Sequence, residues 1–515
     1  METKTTIDNI KLSRFELIFL IASASVTISF VSCCSPLFPF NPWDDVNVFF
    51  VIGRGIIHGL VPYRDLFDHK GPLLHFIYAL AALISERSFA GVWLIECAAA
   101  SVYSVFSWKT VKLFTDPGKF TITVMPLFSG VIYTMSMFNF GGNSEELCFP
   151  LLAVAFYFGL RAAVKGNGIP ADRDALICGI ISGALFWIKY TFLGFMAGFV
   201  IFIIIMVIRK KMFGRLWSLI WRFFAGLTVF TAPVLIYFIA NGALGDLWEG
   251  YFRTNLFYYH GGTAENMPVY LKVLRTLYYP CSGLVKMALE YPSACVMILL
   301  SLISFVMMNR SYRKRVFLFF FLTFALSLGF VFSRNVYVYY YGYLLSYIYC
   351  LALIPCIKGL QKLVTASKQN PGFITKALAA MLAILYVFTV YMGKNKYLMF
   401  KPKDFTSQCR IAETIRQTPD AKVLVYGVID SGFYTAAGIL PQNKYFCYLN
   451  ICDSYPYILE EQNRLIEEGY FDYIITYAFP EEHWDNYEKI QEETNLYIDF
   501  TCEPILEGYN LYKRI

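Results

Sequence analysis

The sequence predicts a polytopic α-helical membrane protein with a small α/β domain at its C-terminal end, on three observations. Of 515 residues, 57% are hydrophobic and only 16% are charged, against roughly 25% charged in ordinary soluble chains. Apolar runs long enough to cross roughly 30 Å of hydrocarbon recur up to residue 393. The charge balance then changes sign: the part before Asn395 carries a net +15, and the part from Asn395 onward a net −8. Opposite charge and different hydropathy imply two domains, 1–394 in the membrane and 395–515 outside it.

Eleven apolar runs have the length of a span, near 15–34, 89–108, 120–138, 146–164, 174–188, 190–208, 216–239, 288–308, 316–332, 336–357 and 376–393. Lys and Arg mark the cytoplasmic side. Their clusters, from Lys4/Lys11/Arg14 through Arg209/Lys210/Lys211/Arg215/Arg222 to Lys358/Lys362/Lys368/Lys376, all fall on one side if the N-terminus is inside and the count is eleven. An odd count places the acidic tail outside the cell membrane. The apolar run 72–84 is too short to span, and counting it would put the basic clusters outside. It is therefore expected as a re-entrant or interfacial helix. The first span has charges before it and no small-residue cleavage site after it, as a retained signal anchor does. Topology accounts for the basic excess, so no nucleic-acid partner is expected.

The tail reads as alternating helix and strand: a helix over 407–417, a strand over 421–427, a charged helix near 456–468 and a strand over 470–477. It carries no glycine-rich phosphate motif and is assigned no catalysis. Of thirteen cysteines, most lie in spans as small buried hydrophobes. Cys409, Cys447, Cys452 and Cys502 lie in the tail, where three pairings are open, and no spacing indicates a metal.

The polar residues of the membrane part converge on the outer side. The loop 36–72 holds Asp44, Asp45, Arg54, Arg64, His69 and Lys70; the turn 141–146 ends in Glu145 and Glu146; a long loop covers 240–282; and Arg334 sits in a very short turn. Charge at a membrane surface marks a functional candidate. Lys70 precedes Gly71-Pro72 at the start of a helix, where backbone amides and an ammonium make a phosphate site; a snorkelling lysine is the alternative. Arg334 suits a bidentate phosphate contact or snorkelling. Arg54 and Arg64 serve phosphate or pair with Asp65 or Asp68. His69 suits a phosphate or a metal, so a divalent cation is compatible with the site. Asp44 and Asp45 provide a base or cap the helix beginning near Val46. Glu145 and Glu146, after two glycines at the start of a span, can cap that helix and complement its dipole. Glu96, about 10 Å into a span, is functional or structurally paired. The aromatic residues Tyr251, Phe252, Phe257, Tyr258, Tyr259, Tyr278 and Tyr279 suit an interface belt.

This arrangement resembles the GT-C superfamily of polyprenyl-phosphate-sugar-dependent glycosyltransferases, and within it the family 39-like group of protein O-mannosyltransferase and aminoarabinose transferase. The resemblance rests on Asp44-Asp45, Gly59-x-x-Pro-Tyr-Arg-Asp65, Lys70-Gly-Pro72, Glu145-Glu146, Arg334 before Tyr339-Tyr340-Tyr341, and Ile411-Ala-Glu-Thr-Ile415 followed by Val423-Leu-Val-Tyr-Gly427. It departs where the family has Asp-Glu or Asp-x-Asp, and where a His-Tyr commonly follows the arginine but Tyr339 stands here. The resemblance implies an inverting transferase moving a sugar from a polyprenyl-phosphate donor to a cell-envelope glycan, lipid or protein. Asp45 would be the general base with Asp44 beside it, Glu145 and Glu146 the second acidic site, and Lys70 and Arg334 the phosphate ligands. A transporter or flippase for a lipid-linked or small solute is the alternative, favoured by the span count and Glu96.

Overall fold

A computed structural model describes residues 10–258, 268–329, 339–366, 370–498 and 504–515. Nine helices build the part that positions the site: α1 (Arg14–Val31), α2 (Asp44–Ile57), α3 (Pro72–Ile84), α4 (Ala90–Phe114), α5 (Val124–Tyr133), α6 (Ser144–Val164), α7 (Asp172–Lys189), α8 (Leu193–Lys210) and α9 (Phe213–Ala240). Among the described residues seven helical stretches are long and apolar enough to cross a membrane, or eight counting the pair Cys281–Glu290 and Pro292–Met307, bent by 111°. The longest stretch, Asp172–Lys210, joins α7 to α8 through a single 3₁₀ turn. It is a hairpin, because Ile169 and Ala175 pack with Val207 and Leu219 in one cluster, and a straight helix would hold Ala175 and Val207 roughly 48 Å apart.

Polar contacts gather at the two ends of the bundle. At one end Lys112 Nζ meets Glu16 Oε1 at 2.8 Å, Arg161 pairs with Asp174, Arg222 meets Asp172 at 3.1 Å, and Arg315 Nε donates to Ala163 O at 2.8 Å. The basic clusters read from the sequence thus meet in space. At the other end lie Ser32, Glu96, Gly142, Glu145 and Lys189, with the C-terminal domain above them. Asn395 ties that domain to the bundle by donating to Val31 O and Asn139 O.

Two short helices fill the first loop. α2 has 14 residues and α3 has 13, both too short to span. They pack so closely that a Cβ on Gly53 would meet the Tyr78 backbone at 2.5 Å. α2 is buried along most of its length, whereas α3 exposes Leu80, Leu83 and Ile84, as an interfacial helix would. The C-terminal domain is a four-stranded mixed sheet in the order β1 (Val423–Val425), β2 (Tyr473–Tyr477), β4 (Pro504–Arg514), β3 (Tyr487–Ile498). β1 and β2 are parallel, joined by the helix Tyr457–Glu467, and β4 is antiparallel to both neighbours. The β3–β4 pair is an addition to the two strands read from the sequence. Polar and charged residues together make up most of β3 and mask its strand pattern. Cys409, Cys447 and Cys452 are buried free thiols; Cys502 lies outside the described residues.

Candidate active site

The start of α2 is held by asparagines, which leaves its carboxylates available. Asn41 Oδ1 accepts from Trp43 N–H at 2.9 Å, and Asn47 Nδ2 donates to Asn41 O and Trp43 O. Asp44 and Asp45 are the first helical residues, and no side chain caps the helix, so the capping role is not the one they play. Both are half-buried and make no hydrogen bond or ion pair among the described residues. Burial raises the Asp45 carboxyl, Lys70 draws it back, Glu145 raises it again, and Lys189 lowers it. Burial, Glu507, Asp45 and Asp430 push Asp44 well above the usual carboxylate range. Asp45 thus feels two ammonium groups as well as the Glu145 and Asp68 carboxylates, whereas Asp44 feels carboxylates alone, Glu507, Asp45 and Asp430.

The loop carrying Lys70 is folded on itself. Tyr63 N–H donates to Leu66 O at 2.8 Å, and Tyr63 Oη donates to Lys70 O at 2.6 Å. Asn255, in a π-helical segment (Trp248–Tyr258) of the long loop, donates to His69 O at 2.6 Å. Lys70 Nζ lies 3.3 Å from His69 Nε2; His69 Nδ1 lies 3.4 Å from Asp68 Oδ1; and His75 Nε2 lies 3.0 Å from Asp68 Oδ2. Burial and Lys70 drive His69 down to about 3, so its ring is neutral and Nε2 can accept from the ammonium. Burial would raise Asp68, but the His75 hydrogen bond and the charge of Lys70 hold it well below the usual range. His69 therefore orients Lys70. Among the described residues no three His, Cys, Asp or Glu side chains converge as a metal site.

The second ammonium, Lys189, comes from the end of α7 and stands 2.5 Å from Glu145 in the first turn of α6. Lys189 is not among the candidates read from the sequence; its signal there is a lone cation at the outer end of a run whose other cations lie at the opposite end. α7 is brought close by Gly71, where a Cβ would meet Trp187 O at 2.0 Å.

Residues 69–237 match the family model described as dolichyl-phosphate-mannose-protein mannosyltransferase, a stretch that includes Lys70, Glu145, Glu146 and Lys189. No curated protein matches the chain in sequence. Among solved structures, ArnT from Cupriavidus metallidurans bound to undecaprenyl phosphate superposes with a TM-score of 0.54 at 11% identity, covering 96% of this chain and 97% of that one. The apo state of the same ArnT gives 0.53 at 10% identity over the same shares. The chain has the GT-C fold. The resemblance read from the sequence holds, for a membrane protein whose family match begins at the loop carrying Lys70.

Within this GT-C frame the remaining sequence candidates divide. Asp45, Lys70, His69 and Glu145 come together. Arg54 does not join them: it is buried, and its Nη1 donates to Tyr434 O at 3.3 Å and Ile439 O at 3.1 Å, anchoring the C-terminal domain on α2. Arg64 is exposed and held by Asp65, 2.9 Å away, and by Asn241 O. Arg334 lies outside the described residues. Glu146 turns away from Glu145: it accepts from Gly142 N–H at 3.0 Å, and Glu96 accepts from the same N–H at 2.7 Å and from Ser32 Oγ. Gly142 has φ +78, and a Cβ there would meet Val46 Cγ2 at 2.8 Å, so this buried hub fixes the turn before α6 against α2. Tyr251 is core rather than belt, packed on Phe186 and Trp187. The C-terminal domain roofs the loop: Phe67 N–H donates to Lys444 O at 2.9 Å, and Phe67 stacks on Tyr455 at 5.5 Å.

Proposed function

We propose that this GT-C protein is an inverting glycosyltransferase, taking a sugar from a polyprenyl-phosphate donor at the outer face and placing it on a cell-envelope glycan, lipid or protein. The observation that carries the reading is the juxtaposition of Asp45, half-buried and without a hydrogen-bonding partner among the described residues, with the ammonium groups of Lys70 and Lys189. The ArnT structure with undecaprenyl phosphate supports a polyprenyl-phosphate donor on the same fold. The basic end of the bundle would be cytoplasmic, with the N-terminus there, and the catalytic membrane domain 1–394 would carry the domain 395–515 on the outer side.

In this scheme Asp45 takes the proton of an acceptor hydroxyl as the hydroxyl oxygen attacks the anomeric carbon. The bond from that carbon to the phosphate oxygen breaks, and polyprenyl phosphate leaves with its charge held by Lys70 and Lys189. One displacement inverts the centre. His69 and Asp68 aim Lys70, and Glu145 aims Lys189. Asp44, facing Glu507 and Asp430, serves the acceptor side. Glu96, which favoured a transporter, is instead engaged with Ser32 and Gly142 in the hub below the site.

The test is release of polyprenyl phosphate by full-length protein in nanodiscs supplied with membrane lipid extract. Asp45→Asn and Lys70→Ala should each abolish release while thermal stability is retained. Undiminished release by Asp45→Asn would remove the base assignment.

A further inference from the structure

The basic end of the bundle holds a feature that sugar transfer does not use. α7, α8 and α9 enclose an apolar cavity of about 160 Å³, lined among others by Ala175, Cys178, Phe199, Ile203, Leu219 and Phe223. A cavity of about 150 Å³ lined by such side chains stays dry and takes up apolar ligands. This one has Ile220 and Phe224 in its lining, 37% and 56% exposed, so it opens sideways toward the acyl chains of a bilayer.

Cations cluster on the helix ends beside the cavity. Arg215 Nη2 donates to Pro170 O, a lining residue, at 3.3 Å, and Arg215 and Arg222 share the single carboxylate of Asp172. Arg173, Arg209, Lys210 and Lys211 are exposed on the same helix ends. Six cations thus stand against one paired acid, an excess that attracts anionic head groups. Trp217 and Trp221, 74% and 68% exposed, mark the depth of the membrane–water interface on α9.

We propose that this cavity and its cationic rim form a binding site for one anionic phospholipid, with a short segment of one acyl chain in the cavity and the head group on Arg209, Lys210 and Lys211. Geometry and charge select the ligand together. A neutral lipid would leave the rim unsatisfied, and a soluble anion would leave the cavity empty. The inference is independent of the sugar-transfer reading, since the site lies at the opposite end of the bundle from Asp45.

The test is native mass spectrometry of delipidated full-length protein titrated with phosphatidylglycerol or phosphatidylcholine. Wild type should retain one phosphatidylglycerol per chain with at least roughly tenfold preference over phosphatidylcholine. Replacing Arg209, Lys210 and Lys211 together by Gln, a change confined to exposed positions, should erase the preference. Ala175→Phe, which fills the cavity, should release the lipid, and Ile203→Phe should repeat that result from the facing helix. Equal retention of both lipids by wild type would overturn the proposal. So would retention unchanged in both filled variants, or one-for-one displacement of phosphatidylglycerol by a polyprenyl phosphate.

Discussion

The ammonium of Lys189 and the carboxylate of Glu145 stand 2.5 Å apart where the end of α7 meets the first turn of α6. Their side chains are 10% and 2% exposed, so each keeps the other charged in a place where neither would be comfortable alone. Removing one partner of such a pair leaves an uncompensated buried charge, at a cost of about 3–5 kcal/mol. Lys189→Ala should therefore lower thermal stability by that order. The double change Lys189→Met with Glu145→Gln should recover much of the stability while transfer stays low. Recovery of both together would make the pair purely structural.

Asp45 and Asp44 are neighbours in sequence with different surroundings, and their variants should differ. Asp45→Asn removes the proposed base and should lower kcat by about 10²–10⁴-fold. Asp44→Asn should act chiefly on KM for the acceptor. Polyprenyl phosphate release measured against acceptor concentration separates the two.

The pH profile follows from the charges around Asp45. A base works only when ionised, and burial holds this carboxyl above its ordinary value of 3.8. kcat/KM should therefore fall, as pH is lowered, at a pH above that of an ordinary aspartate. Lys70 lowers this carboxyl and Glu145 raises it. Lys70→Met should move the acid limb to higher pH, and Glu145→Gln should move it to lower pH. A limb that neither change displaces would disconnect Asp45 from the titration.

Asp430 gives a stability prediction of opposite slope. Its Oδ1 accepts from Gly432 N–H and Phe433 N–H, but burial outweighs these bonds and lifts the group from 3.8 to about 6. The folded protein thus keeps a proton that the unfolded chain releases, and stability falls as pH rises between those values and levels off above them. Asp430→Asn keeps the oxygen that accepts the two amides and removes the titration. It should stabilise the C-terminal domain at pH 7 by up to about 3 kcal/mol. Melting of wild type and variant at pH 4 and pH 7 checks the sign.

Much of the fold was legible in the sequence because its signals are local. Hydrocarbon thickness sets the length of an apolar run, and backbone periodicity sets the helix Ser407–Ile415 and the strands Val423–Val425 and Tyr473–Tyr477 near where they were expected. The candidate site was half legible. Asp45, Lys70 and Glu145 stood out as charges where charge is costly. Arg54 stood out for the same reason, yet it serves two backbone carbonyls of a domain almost 400 residues further on. Burial is what makes an arginine conspicuous, and a phosphate or a carbonyl can equally satisfy it.

By itself the sequence determined that the chain lives in a membrane, which end of it is acidic, and which loop concentrates the charge, since each is a sum over neighbouring residues. Only the tertiary structure decided which charges meet. Lys189 reaches Glu145 because α6 and α7 are antiparallel neighbours, and His69 rather than solvent holds Lys70 because Asn255 and Tyr63 pin the loop. Pairing energies depend on distance in space, and no local pattern encodes the distance between residues on different helices.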